Sequence, residues 1–72
     1  MKKIECVING KFFSSKSLEN SLDSVIASFL RKKIKRNIAV AVNDELIQKA
    51  EWRSKKISDG DRIEIVYPFN GG

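Results

Sequence analysis

The sequence contains no histidine and only one cysteine, one proline and one methionine among its 72 residues. Without histidine, neither a Ser-His nor a Cys-His catalytic pair can form, and a zinc site of cysteine and histidine is excluded. A lone cysteine cannot form a disulfide within the chain, and a single thiol is typical of a reducing compartment. The fold must therefore depend on packing alone, and we expect a protein that is not an enzyme and binds no metal or cofactor.

Long apolar runs are also missing. The N-terminal segment MKKIECVING carries two lysines, but the apolar stretch after them is short and contains Glu5, unlike a signal peptide. No run approaches the length that spans a membrane. We expect a cytoplasmic protein that has no membrane partner.

Basic residues outnumber acidic ones, 14 to 9, which gives a formal net charge of +5. This balance favours an anionic partner, either nucleic acid or an acidic protein surface. Eight of the basic residues lie in two segments, RKKIKR at 31–36 and RSKK at 53–56. The simplest interpretation of RKKIKR is a solvated helix end and loop, with docking on an acidic partner or nucleic-acid binding as alternatives. The six aromatic residues show no paired exposed rings of a single-strand binder, so we expect no nucleic-acid partner.

The beginning of the chain has the alternation of a β-hairpin. Segment KIECVI, residues 3–8, places one apolar set on a single face, namely Ile4, Cys6 and Ile8. Asn9-Gly10 is the favoured dipeptide of a two-residue type I′ turn, and KFFS returns as a second strand. Cys6 is predicted to be a core residue, because reactive thiols need exposure and an electropositive site.

A helical period follows. Apolar residues from Leu18 to Leu30 recur at steps of three and four, which predicts one amphipathic helix from about Leu18 to Lys33. Ser17 is a candidate N-cap, since its hydroxyl can accept from a free N–H of the first turn. A cationic last turn near Lys33 would suit the negative end of the helix dipole.

The rest of the chain returns to strand patterns. NIAVAVN at 37–43 predicts a buried strand, DELI a turn and a short strand, and RIEIVY at 62–67 a final strand after the Asp59-Gly60-Asp61 turn. Inward residues of the last two long strands are predicted to be Ile38, Val40, Val42, Ile63, Ile65 and Tyr67. Trp52 is predicted to cover one edge of the core.

One helix must cover all these strands, which predicts an α+β fold of the β-grasp type: a curled mixed sheet of four to five strands around one helix. After the helix crossover, a later strand can lie parallel to the first. We expect a β-grasp domain over residues 1–67 and a flexible C-terminal tail over residues 68–72.

The outward sheet face is predicted to carry small apolar side chains. The residues in question are Val7, Ala39, Ala41 and Val66. If the first, third and last strands are neighbours, these four form one apolar patch beside the tail, which we interpret as a partner-docking patch. Scattered apolar residues on an open face are the alternative interpretation.

The last five residues, PFNGG, are predicted to form an arm that a partner can thread into a narrow site. Pro68 has no N–H and ends the sheet ladder, and Phe69 and Asn70 follow it. Gly71 and Gly72 lack Cβ atoms, so another protein's backbone can close tightly around them. The terminal carboxylate is ionised at neutral pH. We expect Asn70, Gly71 and Gly72 to be mobile until a partner grips them.

These features together resemble the ThiS family, the ubiquitin-like sulfur carriers of thiamine biosynthesis. The resemblance covers nearly the whole chain and is carried by VING at 7–10, the Val42-Asn43 strand end, Trp52, the Asp59-Gly60-Asp61 turn and the terminal Gly71-Gly72. It implies that an E1-like adenylating enzyme uses ATP to activate the carboxylate of Gly72. A sulfur donor, either a cysteine desulfurase or a sulfurtransferase, would then supply the sulfur of a C-terminal thiocarboxylate. Thiazole synthase would take up that sulfur, and the free carrier would be a monomer.

Three alternatives stay open at this point. The tail YPFNGG also resembles molybdopterin-synthase small subunits, although that family usually has a longer first loop than NGKFFSSKS. A carrier for tRNA thiolation has the same fold. A small basic nucleic-acid-binding domain is favoured by net charge alone.

Overall fold

The computed structural model describes residues 3–15, 20–31 and 38–67 of the chain. In chain order, the elements along these ranges are β1 (Ile4–Ile8), β2 (Lys11–Ser15), α1 (Leu22–Leu30), β3 (Ala39–Val42), β4 (Glu45–Ile47), a 3-10 turn (Lys49–Glu51) and β5 (Arg62–Val66). None of the helical residues within these ranges belongs to a helix long and apolar enough to cross a membrane.

The strands form one mixed sheet in the order β2-β1-β5-β3-β4. The β1–β5 pair is parallel, and the other three pairs are antiparallel. The last strand therefore lies in the middle of the sheet, between the first and the third. The predicted β-grasp fold, with a mixed sheet around one helix, is confirmed for the described residues.

Each of the two hairpins, β1–β2 and β3–β4, is closed by a tight turn. Asn9 and Gly10 both have positive φ, 51° and 79°, as the type I′ turn predicted between β1 and β2 requires. Asn43 and Asp44 have φ of 51° and 71° and join β3 to β4 in the same way. Asparagine and aspartate tolerate this left-handed backbone better than most residues. The predicted hairpin across Asn9-Gly10 is confirmed.

The helix begins later than the sequence predicts, at Leu22 instead of Leu18. Ser21 has extended backbone angles, φ −71° and ψ 151°, and its Oγ accepts the N–H of Ser24 at 3.2 Å. Ser21 is therefore the N-cap, and the predicted cap, Ser17, lies outside the described residues. Periodicity alone could not choose between two serines four positions apart.

Contacts with a distant segment fix this start. The N–H of Leu22 donates to the carbonyl oxygen of Lys55 at 2.7 Å, and that of Asp23 donates to the carbonyl oxygen of Trp52 at 3.1 Å. Together with the Ser21 cap, these bonds satisfy the N–H groups of the first turn that have no partner within a helix. Tertiary hydrogen bonds therefore override the longer apolar stripe.

The helix also ends earlier than predicted, at Leu30 instead of near Lys33. Arg31 adopts the left-handed conformation, φ 60° and ψ 31°, and its N–H donates to the carbonyl oxygen of Ala27 at 2.8 Å. This is a C-terminal capping geometry that stops the helix. The last turn contains no basic residue, so the predicted cationic last turn is wrong, and Lys33 lies outside the described residues.

The core lies between the helix and the inward face of the sheet. Its buried apolar residues are Cys6, Ile8, Leu22, Val25, Ile26, Val40, Val42, Ile47, Trp52, Ile57, Ile63 and Ile65. The inward assignment of β1, β3 and β5 is thus confirmed, with one exception. Tyr67, which was expected to face inward, follows the end of β5 and is 52% exposed.

Candidate functional site

The candidate site is the region where β5 ends and the chain leaves the sheet. Strand β5 is hydrogen-bonded to β1 on one side and to β3 on the other. Val66 is its last residue and Tyr67 the last residue that the structure describes in this part of the chain. The predicted tail from Pro68 to Gly72 lies outside the described residues, so its role as a threaded arm stays a prediction.

The beginning of β5 is fastened to the turn between β3 and β4. The N–H of Arg62 donates to Oδ1 of Asn43 at 2.9 Å, and the N–H of Asn43 donates to the carbonyl oxygen of Arg62 at 2.7 Å. Nδ2 of Asn43 also donates to Oδ1 of Asp61 at 3.0 Å. An exposed ion pair of 3.0 Å joins Arg62 to Asp44. These bonds fix the register in which β5 enters the sheet.

The Asp59-Gly60-Asp61 turn is fastened to β1. Oδ1 of Asp59 accepts the N–H of Glu5 at 3.0 Å, and the N–H of Gly60 donates to the carbonyl oxygen of Glu5 at 2.8 Å. Gly60 has φ of 88°, in the left-handed region that favours glycine. The turn therefore positions β5 for its parallel pairing with β1.

The end of β5 is fastened to the turn between β1 and β2. The N–H of Asn9 donates to the carbonyl oxygen of Ile63 at 2.9 Å. Oδ1 of Asn9 in turn accepts the N–H of Ile65 at 2.8 Å, in a partly buried position. The two hairpin turns thus hold the central strand at its two ends.

The outward face carries an apolar cluster beside the end of β5. Val66 lies opposite Ala39, and Ala41 lies opposite Leu46 on β4. Val66 is 58% and Leu46 is 62% exposed, so both side chains are available to a partner. We call Ala39, Ala41, Leu46 and Val66 the exit patch.

Val7 does not belong to this patch, although the sequence analysis grouped it with Ala39, Ala41 and Val66. Val7 pairs with Arg62, and Val66 lies four residues further along β5. Four residues of strand span about 13 Å at ~3.3 Å per residue. The outward side chains of Arg62 and Glu64 lie between Val7 and Val66, so the four predicted residues do not form one continuous patch.

Val7 forms a second apolar spot with a residue that sequence reasoning missed. It lies opposite Phe12 on β2, and Phe12 is 76% exposed. Leu46 was missed in the same way. The period of two assigns the alternate faces of each strand correctly, but it cannot show which residues lie opposite each other, because that depends on the pairing register.

The single thiol takes no part in this surface. Cys6 is fully buried, as predicted, and burial raises the pKa of its thiol, with smaller contributions from the carboxylates of Asp61 and Asp59. A buried thiol that resists ionisation is a poor nucleophile. Among the residues that the structure describes, no group of three or more histidine, cysteine, aspartate or glutamate side chains could hold a metal ion.

Trp52 is a core residue and presents no exposed ring to a partner. It is 3% exposed, and its Nε1–H donates to the carbonyl oxygen of Ile47 at 3.0 Å.

The structure describes only part of the basic segments. Arg31 is exposed, and Lys32 to Arg36 lie outside the described residues. Docking of the basic segments on a partner therefore stays a prediction.

Comparison with known proteins agrees with this geometry. A crystal structure of the thiamine biosynthesis protein ThiS from Geobacter metallireducens superimposes with a TM-score of 0.73 at 23% sequence identity. The similarity covers 96% of this chain and 100% of that chain, and it shows a shared fold. A search of curated proteins gave no match.

The match to a protein family is more specific. A scan against family models matched residues 6–72 to the ThiS family. The matched range begins within β1 and includes the other four strands, both asparagine turns and the terminal Gly71-Gly72. The chain therefore belongs to the ThiS family, the ubiquitin-like sulfur carriers of thiamine biosynthesis.

Proposed function

We propose that this protein carries sulfur as a thiocarboxylate on the carbonyl carbon of Gly72. The observation that carries the proposal is the family match, because it extends through residue 72 and so includes Gly71-Gly72. The chain acts as a substrate that its partner enzymes modify in turn, and no residue of its own catalyses a step. The catalytic groups and ATP belong to those partners.

The chemistry begins with an E1-like adenylating enzyme. A carboxylate is a poor acyl donor, so the enzyme first joins the carboxylate of Gly72 to AMP and releases pyrophosphate from ATP. The sulfur of a persulfide on the sulfur donor, a cysteine desulfurase or a sulfurtransferase, then attacks the acyl carbon and displaces AMP. A thiol reduces the resulting acyl disulfide and frees the thiocarboxylate. Thiazole synthase is the proposed acceptor of that sulfur.

The described part of the molecule supports this use of the tail. Strand β5 is the central strand of the sheet and is hydrogen-bonded on both sides, so the chain leaves the domain from a firmly held strand. The exit patch lies beside that point, with Leu46 and Val66 more than half exposed. We propose that the adenylating enzyme and thiazole synthase dock on the exit patch while they receive the tail.

Intact-mass spectrometry tests the carrier chemistry. Incubation with the E1-like enzyme of the same genome, ATP, a sulfur donor and a thiol should add about 16 Da, since sulfur replaces one oxygen of the carboxylate by acyl substitution. A protein that lacks Gly72 should gain no mass and should support no ATP–pyrophosphate exchange. Its melting temperature should equal that of the wild type, because the last residues of a domain generally contribute little to stability. Activation of the shortened protein at the wild-type rate would refute the proposal.

A substitution next to the terminus gives a second test. Gly71→Val should also abolish activation, because a β-branched side chain restricts the backbone and widens the segment that must enter a narrow channel. Gly71→Ala is the matched control and should retain part of the activity. Equal activity of the valine variant and the wild type would show that no narrow channel receives the tail.

Pathway assignment needs a separate experiment, since carriers with this fold could also serve molybdopterin synthesis or tRNA thiolation. Deletion of the gene in its host should produce a requirement for thiamine or its thiazole precursor. Loss of molybdenum-enzyme activity or of thiolated tRNA, with thiamine synthesis intact, would instead support one of those alternatives.

A further inference from the structure

Asn9 departs from the regular hydrogen-bonding pattern at the end of the parallel β1–β5 pair. In a parallel ladder, a residue donates its N–H to the carbonyl oxygen of one residue on the neighbouring strand. Its own carbonyl oxygen then accepts the N–H of the residue two positions further along that strand. Asn9 follows the first half of this pattern, because its N–H donates to the carbonyl oxygen of Ile63 at 2.9 Å. The N–H of Ile65, however, donates to the side-chain Oδ1 of Asn9, at 2.8 Å.

The side chain thus takes the place of a backbone acceptor. Asn9 is the first of the two central residues of the type I′ turn. Its φ is 51°, and at this point the chain has already turned away from the strand direction. Asparagine is suited to both tasks, since it tolerates the left-handed region and its amide oxygen can act as a backbone carbonyl does. The ladder between β1 and β5 therefore extends one hydrogen bond beyond the last paired residues, Ile8 and Ile63.

This extra bond lies close to the point where the tail begins. Ile65 comes two residues before Tyr67 and three before Pro68. Without the bond to Asn9, the part of β5 beyond Ile63 would be hydrogen-bonded only to β3, where Val40 pairs with Ile65 and Ala39 with Val66. The end of the strand could then swing away from β1, and the tail would start from a less defined position and direction.

We propose that Asn9 is a positioning residue that fixes where the C-terminal tail leaves the domain and in which direction. The inference rests on the proposed function, because position matters only if a partner must receive the tail while it docks on the domain. The rate of a reaction between two bound groups falls steeply when one of them is displaced, because the advantage of a fixed reactive geometry is lost.

The chain supplies a matched control in the other hairpin turn. Asn43 also begins a type I′ turn with φ of 51°, and its Oδ1 accepts a β5 N–H, that of Arg62 at 2.9 Å. This bond holds the beginning of β5, at the opposite end from the tail. Asn9→Gly and Asn43→Gly both keep a residue suited to the turn and both remove a side-chain acceptor of a β5 N–H. Asn9→Asp keeps both the turn preference and an acceptor.

The first measurement is hydrogen exchange of the backbone amides. In Asn9→Gly, the amide of Ile65 should exchange about fivefold faster relative to the amides of β3, the factor for loss of one net hydrogen bond. Asn9→Asp should restore its protection. An Ile65 amide that stays as protected in Asn9→Gly as in the wild type would overturn the proposed anchor.

The second measurement is ATP–pyrophosphate exchange with the E1-like adenylating enzyme, carried out well below the melting temperature of every variant. Asn9→Gly should lower kcat/KM by about tenfold, mainly through kcat, because docking persists while the carboxylate is delivered less often in a reactive position. Asn43→Gly should stay within about twofold of the wild type, and Asn9→Asp should recover most of the loss. Equal losses in the two glycine variants, or no loss in either, would overturn the inference. A wild-type protein that is not adenylated at all would refute the proposed function instead, along with the inference that depends on it.

Discussion

Substitution of Val66 by aspartate tests the exit patch directly. The Val66 side chain is 58% exposed, so 42% of it is covered in the folded domain. Full burial of a valine side chain stabilises by about 2 kcal/mol, so loss of this part costs about 0.8 kcal/mol. The lower strand preference of aspartate adds at most about 1 kcal/mol. The expected loss in the free energy of unfolding is therefore about 0.8–1.8 kcal/mol.

A domain of this length has a free energy of unfolding of roughly 4–10 kcal/mol, so Val66→Asp should remain folded. The neighbouring residue provides the contrast. Ile65 is 6% exposed, and Ile65→Asp would remove a core side chain and bury a carboxylate, which together exceed the stability of a small domain. Urea denaturation followed by far-UV circular dichroism should show a folded Val66→Asp protein and an unfolded Ile65→Asp protein.

Binding of the folded variant to the adenylating enzyme is the functional half of the test. A carboxylate placed in an apolar contact should raise Kd by about 10–30-fold, the range of a hot-spot substitution worth roughly 1.5–2 kcal/mol. Phe12→Asp introduces the same charge on the same face, in the separate spot beside Val7, and should leave Kd within about threefold of the wild type. An unfolded Val66→Asp protein would refute the assigned face. Unchanged binding of a folded Val66→Asp protein would show that the exit patch does not dock.

Two further predictions concern the core. Trp52→Phe should lower the free energy of unfolding by about 2–3 kcal/mol, because it removes the hydrogen bond from Nε1 to the carbonyl oxygen of Ile47 and leaves a cavity. Calorimetry should then give a melting temperature lower by about 10–20 °C, and an unchanged melting temperature would contradict the buried position of the indole. Burial raises the pKa of the Cys6 thiol, so between its unfolded and folded pKa values the folded state binds more protons than the unfolded state. The stability of the wild type relative to Cys6→Ala should therefore be constant below about pH 8.5 and fall as the pH rises above it, whereas a difference that stays constant up to pH 11 would show that the thiol is accessible to water.

The sequence predicts most of the fold because its apolar residues alternate clearly in the strands and recur at steps of three and four in the helix. Alternation assigned Cys6, Val40 and Ile63 to the core, and the Asn9-Gly10 turn fixed the pairing of the first two strands. Prediction of the helix start was wrong because the deciding contacts are distant in sequence. The start at Leu22 depends on the carbonyl groups of Trp52 and Lys55, in a segment with no periodicity of its own.

The candidate site could be predicted only in part, for a related reason. Periodicity placed Ala39, Ala41 and Val66 on the outward face, and the register brings these three together. It gave no sign that Leu46 completes the patch or that Val7 lies apart with Phe12, since both facts depend on which strands pair and at which residues. Nor does any local pattern show that the side chain of Asn9 bonds to Ile65, 56 positions away.

The central position of β5 has a consequence for how the protein is made. A chain that stops before Arg62 contains β1 with β2 and β3 with β4, but nothing to join the two pairs into one sheet. Isolated two-stranded hairpins are marginally stable at best in water. During synthesis, the domain can therefore complete its sheet only once the last strand has left the ribosome, with the tail following directly behind it. Chains that terminate early fail to fold and are open to proteolysis, so the pool of folded protein is confined to chains that have been translated at least as far as the strand from which the tail emerges.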